Sequence, residues 1–335
     1  MSTQRYHLYA IGNALVDTEA EVDESFLAQT GITKGVMTLA DHDEQQQLLR
    51  ALNKHTTTQK HASGGSAANT AIAASYFGAR TFYSCRVAND ATGRFYVQDL
   101  QAAGVATNMA ENRPDGTSGT CVVMVTPDAE RTMYTHLAIS ANVSADDLNE
   151  DAIRNSDYIY IEGYLVSSDS ARAAACRLRD LGQQHGAKVA LTLSDPAMVQ
   201  FFRDGLKEMI GDGLEVLFCN EEEAKQFTET DTIEAALAAL KAYAKQVIIT
   251  RGANGAIAWD GNTLHEYEGV PVKAVDTTGA GDLFAGAFLY ALSTGHDFAA
   301  AGPFACHAAA QVVTDFGPRI APERYAELLN QHLRS

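Results

Sequence analysis

Residues 158–193 read YIYIEGYLVSSDSARAAACRLRDLGQQHGAKVALTL, and this stretch decides the fold. Tyr158 to Ile161 is a short apolar run of strand length, Ser170 to Gln184 has helical periodicity with Gly186 after it, and Lys188 to Leu193 is again strand-like. Short apolar runs separated by one amphipathic helix read as a β-α-β unit. The rhythm continues downstream: Val199 to Ile210 as helix, Leu214 to Cys219 as strand, Ile233 to Ala244 as helix, Val247 to Thr250 as strand. Upstream it begins with a strand at Tyr6 to Ile11 ending at Gly12, then an Ala-rich helix at Ser66 to Phe77, a strand at Arg80 to Cys85 and a helix at Ala91 to Ala103. Such alternation with short connections predicts an α/β fold, a mostly parallel central sheet with helices on both faces.

Two stretches break the rhythm. Residues from about 18 to 39 are polar and poorly periodic, and residues 117–136 read as two β-rich runs broken at Thr126-Pro127-Asp128, a hairpin signal. Both are expected to be insertions that together build a small β-rich lid. No internal repeat and no Pro- or Ser-rich linker divides the chain, so residues 1–335 are expected to form a single domain carrying that lid.

The chain has 335 residues, with 25 Lys and Arg against 42 Asp and Glu, a formal charge of −17. A hydrophobic content of 46% suits a packed globular protein. The acidity argues against nonspecific binding to nucleic acid or an anionic membrane, which require positive field. An anionic small substrate would have to be held by backbone amides, helix N-termini, a metal ion or a few placed basic residues. Five scattered cysteines with no CxxC pair read as reduced thiols in a cytoplasmic protein. The first residues show no charged segment followed by an apolar one, and no stretch approaches about 18 uninterrupted apolar residues, so a soluble, intracellular protein is expected.

The chemistry concentrates in Asp276-Thr277-Thr278-Gly279-Ala280-Gly281-Asp282, followed by the apolar helical pattern Leu283 to Leu292. Gly279, Ala280 and Gly281 carry no bulk, so their N–H groups can crowd an anion at a helix start, where the macrodipole adds positive potential. Asp282 in the first turn can take a proton from an attacking hydroxyl. The same residues would also serve as a Gly-rich turn with an acidic helix start.

The seven-residue string resembles the signature of the ribokinase-like, or PfkB, family of small-molecule kinases. The resemblance implies a three-layer α/β sandwich, an anion hole at 279–281 and Asp282 as the base that deprotonates the acceptor. Other motifs follow in family order. Gly12-Asn13-Ala14-Leu15-Val16-Asp17 and Ser63-Gly64-Gly65-Ser66-Ala67-Ala68-Asn69 resemble the substrate-hydroxyl motifs, which implies roles for Asn13, Asp17, Gly64, Gly65, Ser66 and Asn69. Asn89-Asp90-Ala91-Thr92-Gly93 resembles a helix start of the family. Asn220-Glu221-Glu222-Glu223 is similar to the element that organises Mg²⁺ and phosphates, with Glu223 acting through metal-bound water. Thr250-Arg251-Gly252-Ala253-Asn254-Gly255 resembles the strand end beside the nucleotide, implying contacts from Thr250, Arg251, Gly252 and Gly255. Arg131 is similar to a lid arginine that reaches the phosphates, and His307 falls where the family borders adenine. Asp276 and Thr278 correspond to a region where some members bind K⁺. Residue by residue, blander roles stay open: a turn for Asp17, a tolerated helix polar residue for Asn69, a solvated charge run for Glu221 and Glu222, an exposed strand arginine for Arg131 and a packed helix histidine for His307.

The expected activity is therefore ATP- and Mg²⁺-dependent phosphoryl transfer, with positive potential supplied locally. No P-loop string and no G-x-G-x-x-G after the first strand is present. The strings Gly12 to Asp17, Ser63 to Thr70, Arg131 with its neighbours and Cys306-His307-Ala308-Ala309 resemble adenosine-kinase members of the family more than ribokinase, whose first signature usually has Lys where this chain has Ser66; the resemblance implies an adenosine-like nucleoside acceptor, with ribose or a fructose-type sugar as the alternative. A non-catalytic nucleoside- or sugar-binding regulatory protein on the same fold is the rival of another class, and the retained Asp282 argues against it. A monomer or homodimer is expected.

Overall fold

A computed structural model describes residues 5–56 and 59–333. Strands are numbered along the chain. Nine form the central sheet: β1 (Tyr6–Ile11), β5 (Thr81–Ser84), β6 (Ala106–Thr107), β9 (Ser156–Ile161), β10 (Lys188–Thr192), β11 (Leu214–Asn220), β12 (Ala244–Thr250), β13 (Ala256–Trp259) and β14 (Leu264–Tyr267). Their order is β14-β13-β12-β11-β10-β9-β1-β5-β6, parallel from β6 to β12, with β13 and β14 antiparallel at one edge. The alternation in Tyr158-Ile159-Tyr160-Ile161 places the two tyrosines in one core and the two isoleucines in the other. Leu8 and Ala10 divide from Tyr9 and Ile11 in the same way. Successive side chains of a strand point to opposite faces, so a strand buried on both sides must be apolar throughout.

The chain leaves β1 for β5 on one side and returns to β9 on the other. That reversal opens a crevice beyond the carboxyl ends of β1 and β9, where open α/β sheets bind ligands. Gly12, Asn13 and Glu162 stand there. The helix Ala280–Ser293 packs on the helix Ser66–Tyr76 so closely that a Cβ on Gly286 would lie 2.7 Å from the Thr70 carbonyl. This contact brings Asp282 against Ser66 and Asn69.

A second sheet has the order β3-β8-β7-β2-β4, from β2 (Leu15–Glu21), β3 (Met37–Leu39), β4 (Gln59–Gly64), β7 (Gly119–Val125) and β8 (Arg131–His136). It draws on residues 15–64, a longer stretch than 18–39, and includes the helices Glu24–Thr30 and His42–His55. The hairpin β7–β8 turns at Thr126–Glu130, where Ala129 has φ 65°. Val122 and Met124 face the two helices with Phe26, Leu27, Leu48 and Leu52, while Cys121, Val123 and Val125 face the opposite way. Register pairs Asp17 with Cys121 and Glu19 with Val123, so both acids lie on this second face. Asp17 thus sits inside a strand of the second sheet, not in a turn after β1.

Smaller differences have local causes. The helix expected at 233–244 ends at Leu240, because Ala244 already pairs with Leu214 in the sheet. All five cysteines are free thiols. Among the described residues no helix is long and apolar enough to cross a membrane.

Candidate active site

Two cavities meet at one carboxylate. The first, of about 690 Å³ with space open to solvent, is lined by the polar groups of Asn13, Asp17, Ser66, Asn69 and Glu162, by Gly65, and by the apolar side chains Leu15, Met37, Leu39, Val123, Met133 and Leu137. The second is an open cleft of about 1570 Å³ running past Asn220 to Glu223, Thr250 to Gly252 and Gly279 to Asp282. Asp282, Ser66, Arg131, Met133 and Ser194 line both.

At the junction, Asp282 Oδ1 accepts a hydrogen bond from Ser66 Oγ at 2.7 Å, and Oδ2 accepts one from Asn69 Nδ2 at 3.0 Å. Burial raises the Asp282 carboxyl above its ordinary value, and these two bonds with the charges of Arg131 and Arg319 oppose that shift. Asp17 is 6% exposed, and burial pushes its carboxyl up to about 7 against the pull of Arg319 and Arg131. Its oxygens have no hydrogen-bond partner among the described residues, so they are open to a ligand. Gly64 is held to glycine by this carboxylate: a Cβ there would fall 1.9 Å from Asp17 Oδ2. Gly64 itself lies behind Asp17, outside the cavity lining.

The helix Ala280–Ser293 begins from Gly279, whose φ of 77° suits glycine and whose Cβ would lie 2.4 Å from the Pro318 carbonyl. Of the three expected amides, that of Ala280 is spent on the Thr277 carbonyl at 3.3 Å. The amides of Gly279, Gly281 and Asp282 have no partner among the described residues. Gly281 is exposed to the cleft, and a Cβ on it would meet no protein atom within 4 Å. A helix start with unspent amides is an anion site. Asp276 braces the turn, accepting from the Thr278 amide at 2.8 Å and the Gly317 amide at 2.9 Å. Both carboxylate oxygens are thereby occupied; the buried Thr278 Oγ1 is unpartnered. Thr277 Oγ1 donates to the Ala129 carbonyl at 3.1 Å, tying the β7–β8 hairpin to this turn.

The Arg131 side chain, at the start of β8, makes no hydrogen bond or ion pair among the described residues. Burial works against its charge, and the carboxylates of Asp282, Asp195 and Asp276 hold it in place. Asn220 and Glu223 form a reciprocal capping box: Glu223 N donates to Asn220 Oδ1 at 2.8 Å, while Asn220 N and Nδ2 donate to the Glu223 carboxylate at 3.0 and 2.7 Å. Their spacing is thus fully used in starting the helix Glu221–Thr228, and both residues still line the cleft. Burial lifts the Glu223 carboxyl to about 7.

Two expected contacts are not brought in. Gly255 packs behind the loop, its Cβ position 2.1 Å from the Tyr267 carbonyl, because it closes the turn between β12 and β13. His307 does not line the cleft: Nδ1 is 2.9 Å from the Pro303 carbonyl, and the ring stacks on His332 with centroids 3.8 Å apart. Helix packing claims that imidazole.

Two residues escape the sequence reading. Glu162 Oε1 accepts from Asn13 N and Nδ2, both at 3.1 Å, and Oε2 accepts from Ala67 N at 2.8 Å. Burial raises it to about 7 against these bonds. Its place directly after Ile161, at a strand's carboxyl end, is a signal that could have found it. Arg319 donates from Nε to Asn69 Oδ1 at 3.2 Å, from Nη1 to Asp99 Oδ2 at 2.6 Å and from Nη2 to Ser63 Oγ at 2.8 Å and the Ser63 carbonyl. No motif marks it.

An open sheet with a crevice at its reversal, an unspent helix start and a carboxylate between two cavities define a group-transfer enzyme. Residues 30–324 match the model of the pfkB family carbohydrate kinases, and the chain belongs to that family. It is accordingly a phosphotransferase with an alcohol group as acceptor. The structure superposes on that of adenosine kinase from Sinorhizobium meliloti with a TM-score of 0.91 at 32% identity, covering 97% of this chain and 99% of that one. It matches the "probable sugar kinase protein" of Rhizobium etli CFN 42 with a TM-score of 0.91 at 31% identity, covering 98% of each. Adenosine kinase 1 of Arabidopsis thaliana is 27% identical over 337 residues, covering 92% of this chain and 94% of that protein.

Proposed function

We propose that the protein is an ATP-dependent nucleoside kinase acting on a primary hydroxyl of an adenosine-like nucleoside, with Asp282 as general base. The observation that carries this reading is the mixed lining of the first cavity. It offers Asp17, Asn69 and Asn13 to sugar hydroxyls and also presents the apolar side chains Met37, Leu39, Val123, Met133 and Leu137. A ribose or fructose-type ring would use the polar groups and leave those apolar side chains facing water. A planar base bonded to the sugar would cover them.

Asp282 takes the acceptor's proton as its oxygen bonds to the γ-phosphorus; the bond from that phosphorus to the bridging oxygen breaks, and ADP leaves. The unspent amides at Gly279, Gly281 and Asp282, with Arg131, stabilise charge on the transferring phosphoryl group. Thr250, Arg251 and Gly252 border the nucleotide. Glu223 lines the cleft beside Asn220, where it would act on Mg²⁺ through metal-bound water, the phosphates supplying further ligands. Bound there, Mg²⁺ supplies neutralising charge. Asp276 and Thr278 are assigned to the turn, and K⁺ enters no step.

The test is phosphate transfer from ATP to a panel of adenosine, inosine, guanosine, ribose and fructose. Adenosine is expected to be the best acceptor, with Asp282→Asn reducing kcat by at least about 10³-fold, within the range for loss of a catalytic base. Preference for a free sugar, or wild-type turnover by Asp282→Asn, would sink the reading.

A further inference from the structure

Asn69 stands between two side chains that each fix one end of its amide. Its Nδ2 donates to Asp282 Oδ2 at 3.0 Å, and its Oδ1 accepts from Arg319 Nε at 3.2 Å. A guanidinium can only donate, so the atom facing it must be the amide oxygen, whatever the state of Asp282. Arg319 is itself anchored from three directions: Asp99 on the helix Ala91–Ala102, the Ser63 hydroxyl and carbonyl at the end of β4, and Asn69. Only 15% of its side chain is exposed. It joins a helix of the central fold, the second sheet and the helix that carries Asn69.

We propose that Arg319 is a positioning residue for phosphoryl transfer: by donating to the Asn69 carbonyl it fixes which end of that amide faces Asp282, and so fixes the aim of the base. The inference rests on Asp282 acting as base. Without Arg319 the amide can turn over whenever Asp282 is protonated, because the acid would then donate to Oδ1. With Arg319 in place that acceptor is taken, and a protonated Asp282 can donate only to the Ser66 hydroxyl, which must then redirect its own proton. Both the blocked acceptor and the positive charge favour the ionised base. The groups acting on Asp282 are Ser66 and Asn69 from the helix Ser66–Tyr76, Arg131 from β8, Arg319, and the acids Asp17 from β2 and Glu162 after β9. Tyr160 from β9 and Tyr164 also face it. Of these, among the described residues, only Arg319 also hydrogen-bonds the Asn69 side chain.

The experiment measures kcat/KM against pH for the full chain and its Arg319→Gln and Arg319→Lys variants, with ATP, Mg²⁺ and adenosine, or the sugar that displaces adenosine in the acceptor panel. Thermal melting accompanies each variant. Arg319→Gln is expected to move the acid limb up by about one pH unit, the low end for loss of a neighbouring opposite charge. Its kcat on the plateau should fall about tenfold while KM for ATP stays unchanged. Arg319→Lys keeps the charge but not the three-way fork that holds the Asn69 acceptor, so its acid limb should move up by less than that of Arg319→Gln while its plateau kcat falls. An Arg319→Gln limb that superimposes on the wild type overturns the proposal, as does an Arg319→Lys variant with the wild-type limb and plateau kcat, which would leave charge alone and no positioning role. Should Arg319→Gln fail to fold, Arg319→Lys decides alone by the same criterion. Asp282→Asn separates the two readings: activity there refutes the base, whereas an inactive Asp282→Asn with an unmoved Arg319→Gln limb refutes only the role of Arg319.

Discussion

Gly281→Ala separates the catalytic use of the Gly-rich turn from its structural use. The residue opens the helix Ala280–Ser293, is exposed, and is not among the glycines with positive φ. A Cβ there meets nothing within 4 Å, so alanine fits without strain and lowers the unfolded chain's entropy. The gain is at most about 0.5–1 kcal/mol, which in a chain of this size raises Tm by about 1–2 °C. The same methyl points into the space where the unspent amides would meet the transferring phosphate. Displacing that group by about 1 Å costs about 10²-fold in rate, or about 2.7 kcal/mol of transition-state stabilisation. Gly279→Ala is the internal control: its φ of 77° costs alanine about 1–2 kcal/mol. Its Cβ, 2.4 Å from the Pro318 carbonyl, also displaces the loop that carries Arg319. A coupled assay at saturating acceptor, with melting curves alongside, should find Gly281→Ala as stable as the parent but about 10²-fold slower, and Gly279→Ala both slower and less stable. Wild-type kcat and KM for ATP in Gly281→Ala would refute the placement of the phosphate over this helix start.

Two further outcomes are expected. Leu39 is 43% exposed in the lining of the first cavity, so Leu39→Ser should fold and raise KM for adenosine about tenfold, the equivalent of about 1.4 kcal/mol of lost apolar contact, while KM for ATP is unchanged; equal effects on both would place the base elsewhere. Stability of the ligand-free protein should fall as pH rises from about 6 to about 8, because Asp17, Glu162 and Glu223 are raised to about 7 and Glu19 to about 8. A raised carboxyl makes the folded chain hold a proton that the unfolded chain has released, so the stability is complete below the unfolded value and is lost through the folded one, about 1 kcal/mol for each group. Melting curves that are flat or rise over that interval would contradict the burial of these acids.

The central sheet is legible because its strands are buried on both faces and so appear as unbroken apolar runs such as Tyr158 to Ile161. Strand β2 is not, for the opposite reason. Leu15 to Glu21 spends its inner face on Asp17 and Glu19, so the alternation that would announce a strand carries acids where apolar residues are sought. Asn220 and Glu223 show a different limit, since one spacing serves equally a capping box and a metal-organising element, and the structure fills it with the first. Asp282, Ser66 and Asn69 are legible through motifs that each run unbroken through one short stretch of chain, from a turn or strand end into the first turns of a helix. Arg319 is invisible because its partners Asp99 and Ser63 lie 220 and 256 positions away, and only the folded chain brings them together.

The charge of −17 is distributed so that the acids and the anion site do not compete. Asp17, Glu162 and Asp282 line the first cavity, where the hydroxyls of the proposed nucleoside would need acceptors. The unspent amides of the helix start face the open cleft, where phosphates need donors. Backbone amides carry no titratable charge, so they attract an anion without pairing off the neighbouring carboxylates and drawing the base into an ion pair. A lysine in the same place would do so. Among the described residues Arg131 and Arg319 are the arginines whose charge acts on both Asp17 and Asp282, Arg131 with an unpaired side chain lining both cavities and Arg319 bound to Asn69, Asp99 and Ser63. In the proposed mechanism each has a separate task, one toward the phosphates and one toward the base. The net acidity of the distant surface therefore opposes phosphate binding mainly over separations longer than about 8–10 Å, which salt screens at ordinary ionic strength, while in the proposed mechanism the local geometry at Gly279 to Asp282 would decide the sign that the transferring group meets.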